Sequence, residues 1–465
     1  MQAFVWAIYS FILYAFILTR KQHMISDADT GWHIRAGDKI VDGATIPKFD
    51  DFSYTSTDYV WYNLSWGYDA LLSLAHNMGN LYLPIVITTI ITAVSLMLVA
   101  KNCVKASDSI IASYIAVILG SIAIASSISV RPHVVSFLFA ILFFNILSSR
   151  RRLVYLPLLM LLWVNLHGGF IVGFVIIGAF MGQELLAKKI SNFLVLLACL
   201  VVTFLASIIN PYFIDAYDGV YRTLGGPLKQ GISEWRPLDL GPEAIYMVAA
   251  VISLGFARVK LFTATMALII AWGAYSIMHI RGVGYFAIFS APIIAAALAR
   301  VFKDKDLLQQ LDKSYADVFV KYLALVSTIM FVLLPVFFDA KAEFDKDKHP
   351  VKAIEYIKRN HADKNMFNSY GYGGHIIYAA PGKLKTFIDG RAETAFKPSL
   401  VEDYISLHHG KDIKQIFTKY KISLVFLHKD TYKPIQQYMA DANWQLGYSD
   451  GDSLVYFDDT SGKKN

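Results

Sequence analysis

Long apolar segments recur along the first 338 residues and constrain the fold of this chain more than any other feature. Most of them approach the ~20 residues that a helix needs to cross the ~30 Å hydrocarbon core of a bilayer. Only 17% of all residues are charged, below the roughly 25% typical of soluble proteins. The sequence therefore predicts a mainly α protein, a polytopic membrane helical bundle of about 11 transmembrane helices. The apolar segments cover residues 3–19, 80–100, 109–130, 133–148, 153–166, 169–187, 192–209, 244–257, 261–279, 283–300 and 318–338.

The chain changes character after Phe338, where charged and turn-forming residues replace the apolar segments. Val351–Arg359 has the pattern of a helix, Lys385–Ile388 and Ile422–Leu427 have that of strands, and Trp444 opens a closing hairpin. We therefore expect a small C-terminal α/β soluble domain. The predicted organisation is a transmembrane domain over 1–338 with outer loops 20–79 and 210–243, and a soluble domain over 339–465.

Lysine and arginine residues in the short loops indicate how the bundle is oriented. With a cytoplasmic N-terminus they concentrate in the inner loops, as the positive-inside rule requires, although Arg20 and Lys21 oppose this orientation. An odd number of helices then leaves the C-terminal domain outside the cytoplasm. The supporting residues are Lys101, Lys105, Arg150, Arg151, Arg152, Lys188, Lys189, Arg258, Lys260 and those from Arg300 to Lys313.

This orientation gathers an unusual set of polar residues on the outer face. Either they form a site, or they are ordinary loop residues. The segment that ends at Asn165 is only about 13 residues, roughly 20 Å of helix. Its turn can therefore lie below the membrane surface, where irregular backbone must be buried or line a wet cavity. We expect an outward-facing cavity lined by ionisable groups. The residues concerned are Asp27, Asp29, Trp32, His33, Arg131, His133, His167, Glu234, His279 and Arg281.

Asp27 and Asp29 flank a single residue just outside the first apolar segment. Such a pair can hold a divalent cation such as Mg or Mn through carboxylate oxygens. Alternatively, one carboxylate can act as a general base on an acceptor hydroxyl. The structural alternative is that these acids cap a helix over 32–41.

Arg131, Arg281 and His279 are candidates for binding phosphate, because arginine pairs with phosphate through two charge-assisted hydrogen bonds. Each arginine can instead lie at the interface and contact lipid headgroups. His133 and His167 are candidate ligands, phosphate donors or structural histidines.

Glu234 lies in an outer loop of about 30 residues, a length typical of functional loops or of disorder. In the tail, the segments Tyr372-Gly373-Gly374-His375 and Asp389-Gly390-Arg391 are interpreted as turns, since Gly-Gly and Asp-Gly are ordinary turn residues. The two cysteines, Cys103 and Cys199, predict no disulfide framework.

The first outer loop also carries a longer pattern. It reads Asp27-Ala28-Asp29-Thr30-Gly31-Trp32-His33, then Gly37, Ile46-Pro47, Asp50-Asp51-Phe52-Ser53-Tyr54-Thr55 and Trp61. This resembles a group of bacterial multi-pass proteins that look like the GT-C superfamily of membrane glycosyltransferases. Further matches are Arg131-Pro132, Asn165-Leu166-His167-Gly168-Gly169, Asn210-Pro211-Tyr212, Asn368 through Gly374, and Asp389-Gly390-Arg391.

The resemblance implies a polyprenyl-phosphate-linked sugar donor and an acidic catalytic residue in the first outer loop, here Asp29 or Asp27. It also implies that Arg131, His167 and Arg281 neutralise the lipid phosphate as the sugar leaves. One departure stands out: where relatives often have His-Glu-Trp, this chain has Asn63-Leu64-Ser65-Trp66 and lacks both His and Glu.

The leading hypothesis is therefore transfer of a sugar from a polyprenyl-phosphate donor to a lipid, glycan or protein acceptor at the outer face, with no nucleic-acid partner. One alternative is a transporter or flippase for a lipid-linked sugar, which predicts repeats in two halves. Another is a non-catalytic envelope assembly protein whose C-terminal domain binds a partner.

Overall fold

The computed structural model describes residues 27–228, 233–258, 260–303, 344 and 349–458. These residues fall into two compact units. In the described ranges, the first unit contains 82–213, 233–258 and 260–303. The second contains 27–81, 214–228, 344 and 349–458. The second unit therefore combines most of the predicted first outer loop with the predicted C-terminal domain, whereas the sequence analysis assigned that loop to the transmembrane domain.

The first unit is built of helices, and each of the nine predicted apolar segments between residues 80 and 300 contains one. The predicted segments 3–19 and 318–338 lie outside the described residues. In chain order the helices are α3 (Tyr82–Ser107), α4 (Ile110–Ile124), α5 (His133–Ser149), α6 (Tyr155–Leu166), α7 (Ile171–Leu186), α8 (Ile190–Ser207), α10 (Pro242–Ala257), α11 (Ala264–Met278) and α12 (Val283–Lys303).

Four of the described helical segments are long and apolar enough to cross a membrane. They are Tyr82–Ser107, Gly168–Leu186, Ile190–Ser207 and Ile280–Phe302, while α4, α5, α6, α10 and α11 are shorter apolar helices. The shortest is α6 with 12 residues, or about 18 Å of helix. This agrees with the short segment predicted before the His167 turn. The predicted total of about eleven spans remains a prediction.

Local sequence signals begin several of these helices. Ser109 caps α4 by accepting a hydrogen bond from the Ala112 N–H at 3.1 Å, and Thr263 caps α11 through the Met266 N–H at 3.2 Å. Pro242 stands at the first position of α10, where its missing N–H costs nothing. These caps satisfy backbone donors that would otherwise lack partners at a helix start.

The α12 helix is the most buried of the four candidate spans and packs against α3, α4, α10 and α11. Phe286 and Phe289 are almost fully buried, and Ala291 and Ala295 let the neighbouring helices approach closely. The core of the first unit is therefore organised around α12.

The second unit contains a four-stranded sheet and eight helices in the described ranges. The strand order is β1-β2-β4-β3, with β1 parallel to β2 and the other pairs antiparallel. The elements are α1 (Asp29–Gly43), α2 (Trp66–Gly79), α9 (Ala216–Gly225), α13 (Val351–Asn360), β1 (Met366–Asn368), α14 (Gly373–Ala379), α15 (Pro398–His408), α16 (Ile413–Lys419), β2 (Leu424–His428), α17 (Lys433–Asp441), β3 (Gln445–Ser449) and β4 (Ser453–Phe457).

The predicted helix over 351–359, the strand near 422–427 and the closing hairpin are present. The strand predicted at Lys385–Ile388 was wrong, because this segment makes a single bridge from Thr386 to Ser53. The Phe387 N–H donates to the Asn368 side chain at 2.8 Å, so a side chain replaces a strand partner there.

A buried ion cluster joins the first-loop part of the second unit to its tail. Arg391 contacts Asp50 Oδ1 at 2.6 Å and Asp389 Oδ1 at 2.8 Å, and all three side chains are 0% exposed. Burial opposes the charge on Asp50, but Arg391, together with hydrogen bonds from Ser53 and the Phe52 N–H, more than offsets burial and lowers the pKa of that carboxyl. Removing one member of such a cluster leaves an unpaired buried charge, which is strongly destabilising.

We expect Arg391→Met to lower the free energy of unfolding by about 3–5 kcal/mol. Because the Asp50 pKa is lowered on folding, the stabilisation is present above the unfolded pKa of ~4 and is lost as the pH falls through the folded pKa. The wild type should therefore lose stability below about pH 4 more steeply than the variant. Thermal unfolding of the purified full-length protein at several pH values measures both effects.

Lys397→Met is the matched control, because Lys397 pairs with Asp58 and both side chains are exposed. An exposed pair contributes about 0–1 kcal/mol. Equal losses of stability in the two variants would contradict the structural role of the buried cluster.

Candidate functional site

Asp27 and Asp29 lie at the start of α1. Asp29 is the first residue of the helix, and the Asp27 carboxylate accepts a hydrogen bond from the Asp29 N–H at 3.0 Å. An acid in this position satisfies a backbone donor, and the helix dipole favours its negative charge. The structure therefore separates the two acids: Asp27 accepts the first N–H of the helix from outside it, Ala28 is the N-cap residue, and Asp29 begins the helix.

Two glycines of the first-loop pattern let α1 approach its neighbours closely. A Cβ at Gly31 would lie 2.5 Å from the carbonyl oxygen of Gly374 in α14, and one at Gly37 would lie 2.0 Å from that of Asp69 in α2. A Cβ at Gly374 would in turn lie 2.2 Å from the Ala28 carbonyl oxygen. Backbones can come this close only where there is no side chain. Gly374 of the tail therefore packs directly against the beginning of α1 and is more than a turn residue.

Trp32 and His33 are buried in the second unit. The His33 ring stacks on the Trp32 ring with centroids 3.6 Å apart, and its Nδ1 lies 2.6 Å from Asp69 Oδ1. Asn63 donates to the other oxygen of Asp69 at 2.8 Å. Asp69 therefore fixes the orientation of the imidazole. The sequence analysis missed this acid, although it lies only three residues after Trp66, beside the motif that lacks Glu.

A metal site was one hypothesis for Asp27 and Asp29. No three His, Cys, Asp or Glu side chains come together as a metal-binding group within the part of the chain that the structure describes. Mg²⁺ can be held by one or two carboxylates when water and substrate phosphates supply the remaining ligands. The two acids therefore fit a cation only if it arrives with a phosphorylated substrate.

A second group of candidate residues lies in the first unit, around the 3-10 turn Ser233–Trp235. Arg131 forms an ion pair with Glu234, and the Arg281 guanidinium lies 4.3 Å from the centroid of the Trp235 ring. His279 Nδ1 lies 2.9 Å from the Trp235 carbonyl oxygen, so this nitrogen carries the proton. This described part of the long outer loop thus packs on the turn between α11 and α12.

The charges of this group act on the Glu234 carboxyl. Burial opposes its ionisation, but Arg131, Arg281 and His133 more than offset burial and lower its pKa to about 2. The carboxylate is therefore charged at neutral pH. Two guanidinium groups arranged around one carboxylate make an anion-binding group. The Glu234 carboxylate occupies the position in which this group would hold a bound anion.

The two remaining histidines have structural contacts. His133 Nε2 lies 2.5 Å from the Ser127 carbonyl oxygen, and His167 Nδ1 lies 2.6 Å from Ser136 Oγ. The Gly169 N–H also donates to His167 Nδ1, at 3.1 Å. His133 belongs to the group around Glu234 through its charge, whereas the Ser136 and Gly169 contacts hold the His167 ring in the turn before α7.

Comparison with known proteins gives no matching protein family and no matching curated protein. Similar solved structures include three of oligosaccharyltransferase from the archaeon Archaeoglobus fulgidus. The complex with an inhibitory peptide and a dolichol-phosphate has a TM-score of 0.61 at 14% identity, over 91% of this chain and 69% of that one.

Two further structures of oligosaccharyltransferase from the same archaeon give similar TM-scores. The form tethered with an acceptor peptide containing the NVT sequon has a TM-score of 0.61 at 14% identity, over 98% of this chain and 74% of that one. The apo form has a TM-score of 0.59 at 15% identity, over 91% and 69%. The chain thus has the fold of this archaeal oligosaccharyltransferase.

Proposed function

We propose that this protein is a membrane glycosyltransferase that transfers a sugar or glycan from a polyprenyl-phosphate-linked donor to an acceptor at the outer face of a bacterial inner membrane. The observation that carries the proposal is the grouping of Arg131, Arg281 and His133 around a single carboxylate, in a chain with the GT-C fold. Such a group suits a phosphate that gains charge when the sugar leaves.

In the proposed reaction an acceptor oxygen or nitrogen attacks the anomeric carbon, and the bond from that carbon to the phosphate oxygen breaks. The bonding electrons stay on the phosphate, whose growing charge Arg131, His167 and Arg281 offset, with His133 and His279 assisting. Asp29 takes the proton of the acceptor as the general base. By analogy with the superfamily we propose inversion at the anomeric carbon.

The acceptor class stays open between a lipid, a glycan and a protein. One structural neighbour carries a dolichol-phosphate and another an acceptor peptide, which supports a lipid-linked donor for the fold. The proposed topology has a cytoplasmic N-terminus and a periplasmic C-terminal domain, on the loop charges given above.

We expect Asp29→Asn to lower the transfer rate at least ~10²-fold, because general-base catalysis contributes 10²–10⁴-fold. The rate is measured in membranes with a radiolabelled polyprenyl-phosphate sugar pool, normalised to correctly inserted protein. Wild-type transfer by Asp29→Asn would rule out Asp29 as the base. Loss of transfer with retained donor binding would argue against a transporter or an assembly protein.

Asp27→Asn separates the hydrogen bond that Asp27 accepts at the start of α1 from a metal-binding role of the same side chain. The asparagine side-chain oxygen can still accept the hydrogen bond from the Asp29 N–H, but it lacks the charge that a divalent cation prefers. We expect the Mg²⁺ or Mn²⁺ concentration that restores half-maximal transfer after chelation to be the same as in the wild type. A markedly higher requirement would assign Asp27 to a cation.

Glu234→Gln removes the carboxylate that competes for Arg131 and Arg281. We expect it to bind a polyprenyl phosphate on the order of a few-fold more tightly: the Glu234 side chain packs in the loop but is still 39% exposed, and solvent limits such an ion pair to about 1 kcal/mol. Binding to protein in lipid nanodiscs measures the effect. Asp239→Asn is the control, since Asp239 lies in the same loop and pairs with Arg236. Weaker binding by Glu234→Gln would contradict an anion-binding role for this group.

A further inference from the structure

Asp29 and Gly390 meet at a contact that leaves no room for a side chain. A Cβ built on Gly390 would lie 1.7 Å from Oδ1 of Asp29, 2.4 Å from its Cγ and 2.8 Å from its Oδ2. Real Cβ atoms essentially never come within 3.0 Å of a heavy atom of a residue that is not their chain neighbour. The Asp29 carboxylate therefore occupies the space that any other residue at position 390 would fill.

The turn that carries Gly390 cannot easily move away. On one side, Asp389 accepts from Thr386 Oγ1 at 2.9 Å and from the Arg391 N–H at 3.2 Å. On the other side, Arg391 is held by Asp50 and Asp389. Asp389 also lies against Gly373, where a Cβ would be 2.4 Å from that of Asp389. The backbone of residue 390 is therefore fixed from both sides.

The start of α1 is fixed as well. A Cβ at Gly374 would lie 3.1 Å from the Asp29 Cα, and Gly31 packs against the Gly374 carbonyl. With both backbones held, a side chain at residue 390 can be accommodated only if the Asp29 side chain rotates. Whatever fills the space at residue 390 then sets the direction of the carboxylate.

We propose that Gly390 is a positioning residue for Asp29: the bare Cα, presented by a turn that the Arg391 cluster holds, sets the orientation of the carboxylate. This inference rests on the proposed function, in which Asp29 is the general base. It gives the Asp389-Gly390-Arg391 segment a role beyond that of a turn. A misplacement of about 1 Å in a reacting group can lower the rate on the order of 10²-fold.

Gly390→Ala tests the proposal. Gly390 has no positive φ, so alanine can adopt its backbone conformation, and the atoms it meets belong to a side chain that can rotate. We expect folded protein whose kcat is lowered on the order of 10²-fold while KM changes less than about twofold. Gly371→Ala is the matched control, because a Cβ there meets nothing within 4 Å and its φ is not positive either. It should behave as the wild type.

A double-mutant cycle with Asp29→Ala separates positioning from general damage. If the new methyl acts through the carboxylate, the loss of thermal stability in Gly390→Ala should largely disappear in the double variant, because truncation of Asp29 removes the clash. Additive losses of stability, or wild-type kcat in Gly390→Ala, would overturn the proposal.

The outcome is distinguishable from failure of the proposed function. An inactive Asp29→Asn together with a fully active Gly390→Ala refutes only the role of Gly390. A fully active Asp29→Asn refutes the base assignment and leaves Gly390 with no base to position, whatever the stability cycle gives.

Discussion

The buried charge of Arg391 is the interaction on which the second unit depends. Its two carboxylate partners lie far apart in the chain, Asp50 in the first loop and Asp389 in the tail. A charge at 0% exposure is tolerated only when it is fully paired, so neither segment can shift without unpairing it. The Asp389–Arg391 turn thereby becomes a fixed surface next to Gly373 and Asp29. The position of a candidate catalytic acid thus follows from a salt bridge that takes no part in the chemistry.

Sequence patterns predicted the helices of the first unit and, in the tail, α13, β2 and the closing hairpin, because apolar segments and turn residues are local signals. They failed at Lys385–Ile388, where the Asn368 side chain takes a hydrogen bond that a strand partner would have accepted. They also failed at Asp69, whose role depends on its contacts with His33, 36 positions away in the chain, and with Asn63. Contacts of this kind are set by tertiary packing and produce no periodic pattern of residues in the sequence.

The candidate site was foreseen in its residue types but not in its contacts. Arg131 and Arg281 were predicted as anion-binding residues, yet their contacts with the loop around Glu234 could not be derived, since both contacts join residues far apart in the chain, 103 positions in the case of Arg131 and Glu234. Similarly, the tail glycines were interpreted as turns. Only the distances at Gly374 and Gly390 identify them as places where a side chain would collide with the start of α1.

The acids of the chain can be sorted by what their surroundings allow. A general base works best when its pKa lies near the operating pH. The Glu234 pKa of about 2 and the lowered pKa of Asp50 make both carboxylates poor proton acceptors, because nearby arginines stabilise their charged forms. Asp389 shares Arg391 with Asp50, and Asp69 orients His33. Asp27 accepts a hydrogen bond from the first N–H of α1 through one oxygen. Asp29 is the acid that we propose for proton transfer, and in that proposal the close contact with Gly390 sets the direction of its carboxylate.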